Sequence, residues 1–497
     1  MQEYKRFTKD VVVVAVAQAV LALRGLLFIP ILAKTLGASL YGVYSTLMVT
    51  VTLLTPIAQL GLLSSLVRFL AAEKNKDEIR ESYYSVLSVV FLSSLFLSSI
   101  LFFSSDYLME TLFKDPGAIG IIKIGIFLIL TWSLDSVNLE FLRASRRMFK
   151  YSFFLILQTI GEIILAAVLV FNGFGLDAVI YAFLFVRSIV FLATFVAISR
   201  EIPWKTPNFS KIKPYLIFGL PFVATFLFSW VMNSFDRYAI AYLLDFSQVG
   251  IYSAAYGIAS VTALFMTPLS TVLFPVTSKL WEERRLIELK NHMRYSLKYF
   301  LLFAIPGVFG LSVLSQQILA ILTKQEFVSS GYVVLIIIAF ATLCYLASSI
   351  WTWIFIMAKK THYLAIFSCV GAILNIVLNA VLVPKMGIIG AAISTLVPFM
   401  LLSILNITIS QRYFSFPIDL VFIVKSLAAS FVMALVLLAW SPVAFMDVFF
   451  SIALCAALYF VVLFLLRGFD RTELDFFVGF IASVRSYLLH PSKKNVQ

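Results

Sequence analysis

The feature that most constrains this chain is a series of apolar runs long enough to cross a lipid bilayer. Residues 11–33 read VVVVAVAQAVLALRGLLFIPILA, and residues 333–358 read VVLIIIAFATLCYLASSIWTWIFIMA. Each run exceeds the ~20 residues that a helix needs to span the hydrocarbon core, whereas β-barrel strands show as ~10-residue segments of alternating polarity. Because 62% of the residues are hydrophobic and only 13% are charged, we predict an all-α integral membrane protein.

The apolar runs and the helix breakers between them divide the chain into about fourteen transmembrane helices. The predicted spans cover roughly 11–33, 42–71, 84–104, 118–142, 151–171, 178–198, 215–243, 250–276, 297–322, 332–357, 363–383, 388–409, 419–440 and 446–466. After the last span, the segment 473–490 is predicted to be an amphipathic helix at the membrane interface.

The connecting segments alternate sharply in their content of Lys and Arg. One set, which includes both termini, holds 28 of the 38 basic residues, and the other set holds 4. By the positive-inside rule, this split predicts a multi-pass protein of the cell (cytoplasmic or inner) membrane with both termini in the cytoplasm. It also accounts for the net charge of +13, which indicates contact with anionic membrane lipids and no nucleic-acid partner.

Few residues offer metal or catalytic chemistry. The three cysteines lie inside apolar runs and the three histidines are scattered, so we predict neither a metal site nor a cofactor. The chain has no P-loop motif, and its predicted external loops are too short for a catalytic domain. We therefore predict no catalytic residues and a protein that is not an enzyme.

A short repeat shows how the spans are organised. The segment LAKTLGASLYGVYS (32–45) is matched by IAYLLDFSQVGIYS (240–253) at an offset of 208 residues. Further on, AAVLV (166–170) lies over NAVLV (379–383) at an offset of 213. Two matches at nearly one offset indicate a duplicated unit of six spans, and an even number of spans gives both copies the same orientation. We interpret YGVYS and VGIYS as equivalent structural joints.

The duplication predicts two parallel six-helix lobes followed by two additional C-terminal helices. The predicted domains are an N-lobe at 1–198, a cytoplasmic linker at 199–214, a C-lobe at 215–410, spans thirteen and fourteen at 411–471, and an interfacial helix and tail at 472–497. Two like lobes that face each other across a cavity are typical of transporters that work by rocking.

Several segments along the whole chain together resemble a known family. They are Arg24 followed by LAKTLGASLYGVYS, then SFDRYAIAYLLDFSQVGIYSAAYGIAS (234–260), LFPVTSKLWEE (273–283), ILTKQEFVSSG (321–331) and NIVLNAVLVPKMGIIGAAIST (375–395). In order and spacing the chain is similar to the Wzx-type flippases, the polysaccharide-exporter branch of the multidrug/oligosaccharidyl-lipid/polysaccharide (MOP) superfamily.

This resemblance implies a MATE-like fold, alternating access and a polyprenyl-diphosphate-linked oligosaccharide as the substrate. A coupling ion, H⁺ or Na⁺, and contact with glycan polymerases or transferases would fit the same role. Two transporter alternatives stay open, a multidrug cation antiporter and a lipid II-type flippase. A third alternative, from another class, is a membrane-embedded glycan transferase or polymerase.

Arginines inside the spans are candidates for binding the diphosphate. A charge at the centre of a bilayer costs free energy, so each charged residue there needs a reason. The planar guanidinium group of arginine can bind two phosphate oxygens at once. We hypothesise that Arg24 and Arg237, one from each lobe, help to form an anion site, with Arg68 and Arg187 as further candidates. For the last two, an interfacial position or pairing with acids is the alternative.

Acidic and amide side chains inside the spans form a second group of candidates. Asp236 is the first choice for binding a coupling cation or neutralising an arginine, followed by Glu162 and Asp135. Asp236 and Arg237 are adjacent and diverge by roughly 100° on a helix, so we do not expect a simple pair. Asn375 and Asn379, four residues apart, are expected either to pack helices together or to bind sugar hydroxyls.

Overall fold

The computed structural model describes residues 2–73, 75–108, 110–111, 116–440, 442, 445–469 and 473. The described residues form fifteen α-helices. They are α1 (Gln2–Ala58), α2 (Leu62–Ala72), α3 (Lys76–Leu108), α4 (Ile119–Ala144), α5 (Met148–Phe171), α6 (Leu176–Ser199), α7 (Ile212–Leu243), α8 (Phe246–Ala259), α9 (Ala263–Glu282), α10 (Leu286–Val313), α11 (Ser315–Leu322), α12 (Val328–Met357), α13 (His362–Ser410), α14 (Leu420–Trp440) and α15 (Phe445–Leu465). Apart from Glu473, the predicted interfacial helix and tail lie outside the described residues.

Two of the helices are too long to be single membrane crossings. Among the described residues, twelve stretches are long and apolar enough to span, and one of them, Val16–Ala58, has 43 residues. At ~1.5 Å per residue it would reach about twice the ~30 Å hydrocarbon thickness. It breaks at Gly37 (φ 81°, ψ 178°), and α13 breaks in the same way at Gly387 (φ 60°, ψ −141°), at backbone angles that favour glycine. Each is therefore two crossings, which confirms the predicted fourteen.

The helices have an apolar outer surface. Following the repeat in the sequence, we call helices α1 to α6 the N-lobe and α7 to α13 the C-lobe; α14 packs on α10 and α15 packs on α14. Large apolar side chains point outward along the spans, for example Phe103, which is 82% exposed, and Leu465, which is 73% exposed. Such a surface is stable only against lipid, so the protein is a multi-pass integral membrane protein.

The two repeated joints contact each other at one end of the molecule, which we call the joint end (residues 37–45 and 245–253). A Cβ atom on Gly42 would lie 1.7 Å from the carbonyl oxygen of Phe246, and one on Gly250 would lie 2.0 Å from that of Ala38. Since Ala38 and Phe246 are also 208 residues apart, the two contacts are related by the internal repeat. YGVYS and VGIYS are thus the two halves of one close backbone contact between the lobes.

Hydroxyl groups add hydrogen bonds between the lobes near this contact. Ser45 Oγ donates to Ser253 Oγ at 2.6 Å, and this pair also has the repeat's separation of 208 residues. Further along α1, the hydroxyls of Thr50 and Tyr238 are 2.6 Å apart. The second half of α1 is therefore bonded to both α7 and α8 of the other lobe.

A second contact between the lobes lies at the opposite end, which we call the linker end (residues 59–72 and 199–219). A Cβ atom on Gly61 would lie 2.2 Å from the carbonyl oxygen of Gly219, and Gly61 has a left-handed backbone (φ 69°). Ser65 Oγ donates to the carbonyl oxygen of Tyr215 at 2.6 Å. In this conformation the lobes therefore touch at both ends.

Candidate functional site

The N-lobe contains a buried cluster of four charged side chains, Arg24, Asp135, Glu162 and Arg187, which we call the N-lobe cluster. Glu162 bridges the two arginines, with its Oε2 2.8 Å from Arg24 Nη2 and its Oε1 2.8 Å from Arg187 Nε. Asp135 Oδ2 lies 3.7 Å from Arg187 Nη1. Two cations and two anions make the cluster formally neutral, which is how charges become tolerable inside a membrane protein.

Aromatic rings surround the guanidinium groups of this cluster. Trp132 lies one helical turn before Asp135, and its ring centroid is 4.0 Å from Arg187 Cζ and 5.9 Å from Arg24 Cζ. The rings of Phe28 and Phe183 lie 5.4 and 5.6 Å from Arg24 Cζ. Such faces attract a desolvated cation by about 2 kcal/mol in favourable cases.

Burial distinguishes Arg24 from the rest of the cluster. Its side chain is 14% exposed, against 4% for Arg187, 2% for Asp135 and 0% for Glu162. The structure thus places Arg187 in the alternative that pairs it with acids, whereas Arg24 is the member that retains an accessible edge. Its pairing with Glu162 is a contact that the sequence did not predict.

The C-lobe contains a second cluster, centred on Asp236 and completed by Tyr252, Asn375, Asn379 and Thr395, which we call the C-lobe cluster. Tyr252 and Thr395 donate their hydroxyls to Asp236 Oδ2 at 2.5 and 2.9 Å. Asn375 and Asn379 donate their amides to Oδ1 at 3.3 and 3.2 Å. All five side chains are buried, so the two asparagines face a carboxylate here rather than an open sugar-binding surface.

Arg237 lies beside this cluster and corrects one expectation. Its Nη1 is 3.7 Å from Asp236 Oδ2, so the adjacent residues do form an ion pair. The guanidinium reaches it by turning back along α7, where Nη1 donates to the carbonyl oxygen of Asn233, and its Cζ lies 4.0 Å from the ring of Tyr256. The long arginine side chain overcomes the 100° divergence of the two Cα–Cβ bonds.

The C-lobe cluster has the composition of a site for a small cation. It combines a carboxylate, two amides and two hydroxyls, and oxygen donors of this kind suit hard cations. In the described part of the chain Asn379 Oδ1 accepts no hydrogen bond although it is buried, which leaves one oxygen available to a ligand.

Arg68 is the one predicted arginine that lies neither in a cluster nor beside one. It is exposed on α2 at the linker end, and its Cζ lies 4.2 Å from the ring of Phe218 in the C-lobe. The four predicted arginines are therefore divided among three places, which are the N-lobe cluster, the edge of the C-lobe cluster and the linker end.

Two members of the C-lobe cluster, and the tryptophan beside the N-lobe cluster, were not predicted as site residues from the sequence. Trp132 was detectable as a tryptophan one turn from an acid inside a span. Tyr252 belongs to the repeated joint, which was interpreted as structural because of its glycines. Thr395 ends the GAAIST segment without any sign of its partner. Only the packing of α13 against α7 brings Thr395 to Asp236.

The fold has close counterparts among solved membrane transporters. It matches the lipid II flippase MurJ in an inward closed conformation with a TM-score of 0.76 at 19% identity, over 90% of this chain and 97% of that one. It matches an inward-facing multidrug resistance MATE family transporter of the MOP superfamily with a TM-score of 0.64 at 15% identity, over 79% and 94%. The fold is therefore the MurJ- and MATE-like fold of membrane transporters.

A family model described as "Polysaccharide biosynthesis protein" matches residues 31–331. The chain belongs to this family, which confirms its resemblance to the polysaccharide-exporter branch. A Haloferax volcanii protein described as the probable low-salt glycan biosynthesis flippase Agl15 is 25% identical over 238 residues, 48% of this chain and 50% of its own. The matches to Agl15 and to the probable flippase AglR of the same organism cover about half of each relative's length.

Proposed function

We propose that this protein moves a polyprenyl-diphosphate-linked oligosaccharide from the cytoplasmic to the outer leaflet for the assembly of surface glycans. The observation that carries the proposal is the family match, and the description of Agl15 as a glycan biosynthesis flippase supports it. The distribution of basic residues supports a cell-membrane location with both termini in the cytoplasm, so that the linker end faces inward. The lobes then open alternately at the linker end and the joint end.

The arginines supply a path for the diphosphate. Arg68 is exposed where the two lobes meet at the linker end, and its cation–π contact with Phe218 breaks when the lobes separate there. Its guanidinium then becomes a first ligand for phosphate oxygens. Arg24, which retains an accessible edge, is the next ligand, and Arg187 keeps Glu162 neutralised when Arg24 turns to the substrate.

We further propose that H⁺ or Na⁺ couples to transport at Asp236. Its carboxylate accepts hydrogen bonds from four neutral donors. Arg237 Nη1 is 3.7 Å from Asp236 Oδ2, and its guanidinium group lies over the ring of Tyr256. A bound cation would take over the role of those donors and rearrange α7 against α13. The N-lobe cluster is less suited to this role because two arginines already neutralise its acids.

The test of the transport proposal is a sidedness assay for the lipid-linked glycan in cells that carry Arg24→Ala or Arg68→Ala. We expect the glycan carrier to accumulate on the cytoplasmic side in Arg24→Ala, with at least a tenfold fall in export, and a smaller fall in Arg68→Ala. The matched control is Arg200→Ala, which removes an exposed arginine at the end of α6 and should export normally. Protein amounts in the membrane are compared in all variants.

The alternatives predict other outcomes. A multidrug antiporter would leave glycan export intact on deletion while sensitivity to cationic drugs rises, and that result would overturn the proposal. A lipid II-type flippase would show the defect in the cell-wall precursor instead of the glycan carrier. Normal export by Arg24→Ala at wild-type abundance would remove Arg24 from the path.

A further inference from the structure

The break at Gly37 leaves two oppositely polarised helix ends at the joint end. The helical path stops near Thr35 and starts again at Ala38, so the carbonyl groups before Gly37 and the amide groups after it need partners outside the helix backbone. The Thr35 hydroxyl donates to the carbonyl oxygens of Ile31 and Leu32, which leaves the Thr35 carbonyl and the Ala38 amide at the break. A helix carries about +0.5 elementary charge at its N-terminus and about −0.5 at its C-terminus. Gly37 has no side chain that could cap either end, so the caps must come from elsewhere.

Both caps come from the other lobe, from the short segment between α11 and α12. Glu326 Oε1 accepts a hydrogen bond from the backbone amide of Ala38 at 2.9 Å, and Lys324 Nζ donates to the carbonyl oxygen of Thr35 at 3.4 Å. A Cβ atom on Gly37 would lie 3.2 Å from Glu326 Oε1 and 3.7 Å from Lys324 Nζ. The anion meets the positive helix end and the cation meets the negative one.

The equivalent joint of the C-lobe is capped differently. The offset of 208 residues that relates the joints pairs Gly37 with Asp245. Asp245 is the N-cap of α8, and its Oδ1 accepts the backbone amide of Gln248 at 2.8 Å, as a self-contained cap does. The C-lobe joint is therefore complete within its own lobe, whereas the N-lobe joint depends on the opposite lobe.

We propose that Lys324 and Glu326 form a latch that holds the joint end closed. When the lobes separate at this end, both caps leave α1, and the helix ends at Gly37 lose their partners at the same moment as the Ser45–Ser253 bond breaks. The latch thus sets how often this face opens. The inference deepens the proposed function because it rests on alternating access, which gives an opening at the joint end its role in substrate release.

Opening is measured through the accessibility of a buried joint residue. Ser253 is 8% exposed, so a cysteine there reacts with a membrane-impermeant maleimide only when the joint end opens. The native Cys344, Cys369 and Cys455 are first replaced by serine or alanine. Because the closed form is unreactive, the labelling rate of Ser253→Cys is proportional to the open population.

The latch predicts a graded increase in this rate. Glu326→Ala should label about five- to tenfold faster, since it removes a hydrogen bond to a charged group at a helix end. Glu326→Gln keeps an acceptor and should lie between Glu326→Ala and the parent. The exchange Lys324→Glu with Glu326→Lys keeps the net charge but opposes both helix ends, so it should label fastest. Gln325→Ala, between the two, is the control and should label at the parent rate.

Equal rates in Glu326→Ala, Glu326→Gln and Gln325→Ala would overturn the latch. An exchange variant that labels no faster than Glu326→Gln would also contradict it, because the charges would then have no role. If Glu326→Ala proves unstable during purification, Glu326→Gln and the exchange variant decide the question.

The measurement is independent of the transport proposal because it needs no substrate. Faster labelling in the latch variants, together with normal glycan export in cells that lack the protein, would support the latch and refute the proposed substrate. A disulfide between cysteines at positions 45 and 253, whose serine oxygens are 2.6 Å apart, gives the fully closed reference. It should block labelling until a reductant is added.

Discussion

The two buried clusters occupy corresponding places in the two lobes but solve the problem of a buried acid differently. The offset of 213 residues that aligns AAVLV with NAVLV also pairs Glu162 with Asn375. In the N-lobe this position carries the acid and α1 carries the arginine. In the C-lobe the same position carries the amide of Asn375. The acid of that lobe, Asp236, lies instead on α7, which is the counterpart of the first span.

This difference in neutralisation predicts whether each cluster can bind a further cation. In this conformation Glu162 is neutralised by two guanidinium groups at 2.8 Å, so a further cation would be repelled. Asp236 is held mainly by neutral donors, with a guanidinium nitrogen at 3.7 Å, so its charge is only partly balanced. We therefore propose that the N-lobe cluster is electrostatically complete, whereas the C-lobe cluster is incomplete and favours a further cation.

The largest expected effect comes from removing the acid of the complete cluster. Glu162→Ala leaves Arg24 and Arg187 buried near each other with Asp135 as their remaining anion, and breaking a buried pair in this way costs about 3–5 kcal/mol. We expect a clear fall in the thermal unfolding temperature in detergent, with no change in the response to Na⁺.

The control for this variant is Glu140→Ala. Glu140 accepts from Arg143 Nε at 2.7 Å, as its i,i+3 spacing predicts, and that arginine is 48% exposed. Losing such a pair should cost about 1 kcal/mol or less. Similar losses in the two glutamate variants would show that burial does not set the energetics of the N-lobe cluster.

The next effect tests the incomplete cluster. Asp236→Asn keeps the side-chain volume but turns an amide toward other amide donors, which should cost about 1–3 kcal/mol. If Na⁺ binds here, wild-type protein gains about 2.7 kcal/mol at a Na⁺ concentration of 100 times Kd, and the variant loses this gain. The measurement is the unfolding temperature in NaCl against choline chloride.

Glu162→Gln serves as the matched acid-to-amide control and should keep the full response to Na⁺. A wild-type protein without that response would direct the coupling proposal to protons, to be tested by transport under a pH gradient. Persistence of the Na⁺ response in Asp236→Asn would exclude the C-lobe cluster as its source.

Much of this architecture could be predicted from the sequence because bilayer thickness and repetition act along the chain. Run lengths predicted the fourteen crossings, and the joint repeat is the basis for the division into two lobes, which stays a prediction. Every charged member of the two clusters was identified, because a charge within an apolar run is conspicuous on its own. The contact between Gly42 and Gly250 was not predicted, since a repeat reveals equivalence and not proximity.

The contacts between cluster residues were harder to predict from the sequence than the residues themselves. The pairing of Arg24 with Glu162 requires α1 to pack on α5, and no local pattern indicates which spans are neighbours. The prediction that the adjacent Asp236 and Arg237 do not pair was wrong for another reason. Helix geometry fixes the directions of the two Cα–Cβ bonds, but it does not fix the position of the guanidinium group at the end of a flexible arginine. Neutral members such as Thr395 leave no trace at all, because hydroxyls are common in every span.

The smallest expected effect comes from changing the aromatic rings that lie over Arg187 and Arg237. Trp132 lies 4.0 Å from Arg187 and Tyr256 lies 4.0 Å from Arg237, so the geometry is matched while the ring differs. Trp132→Phe should destabilise the protein by about 0.5–1 kcal/mol beyond the loss of packing, because tryptophan binds cations best. Tyr256→Phe should cost less, since phenylalanine keeps the ring, and the lost hydroxyl makes a long contact to Asn233 at 3.5 Å and an interaction with Arg237. Thermal unfolding of both variants in one detergent measures the difference, and a larger loss for Tyr256→Phe would mean that the C-lobe cluster depends on the Tyr256 hydroxyl rather than on its ring.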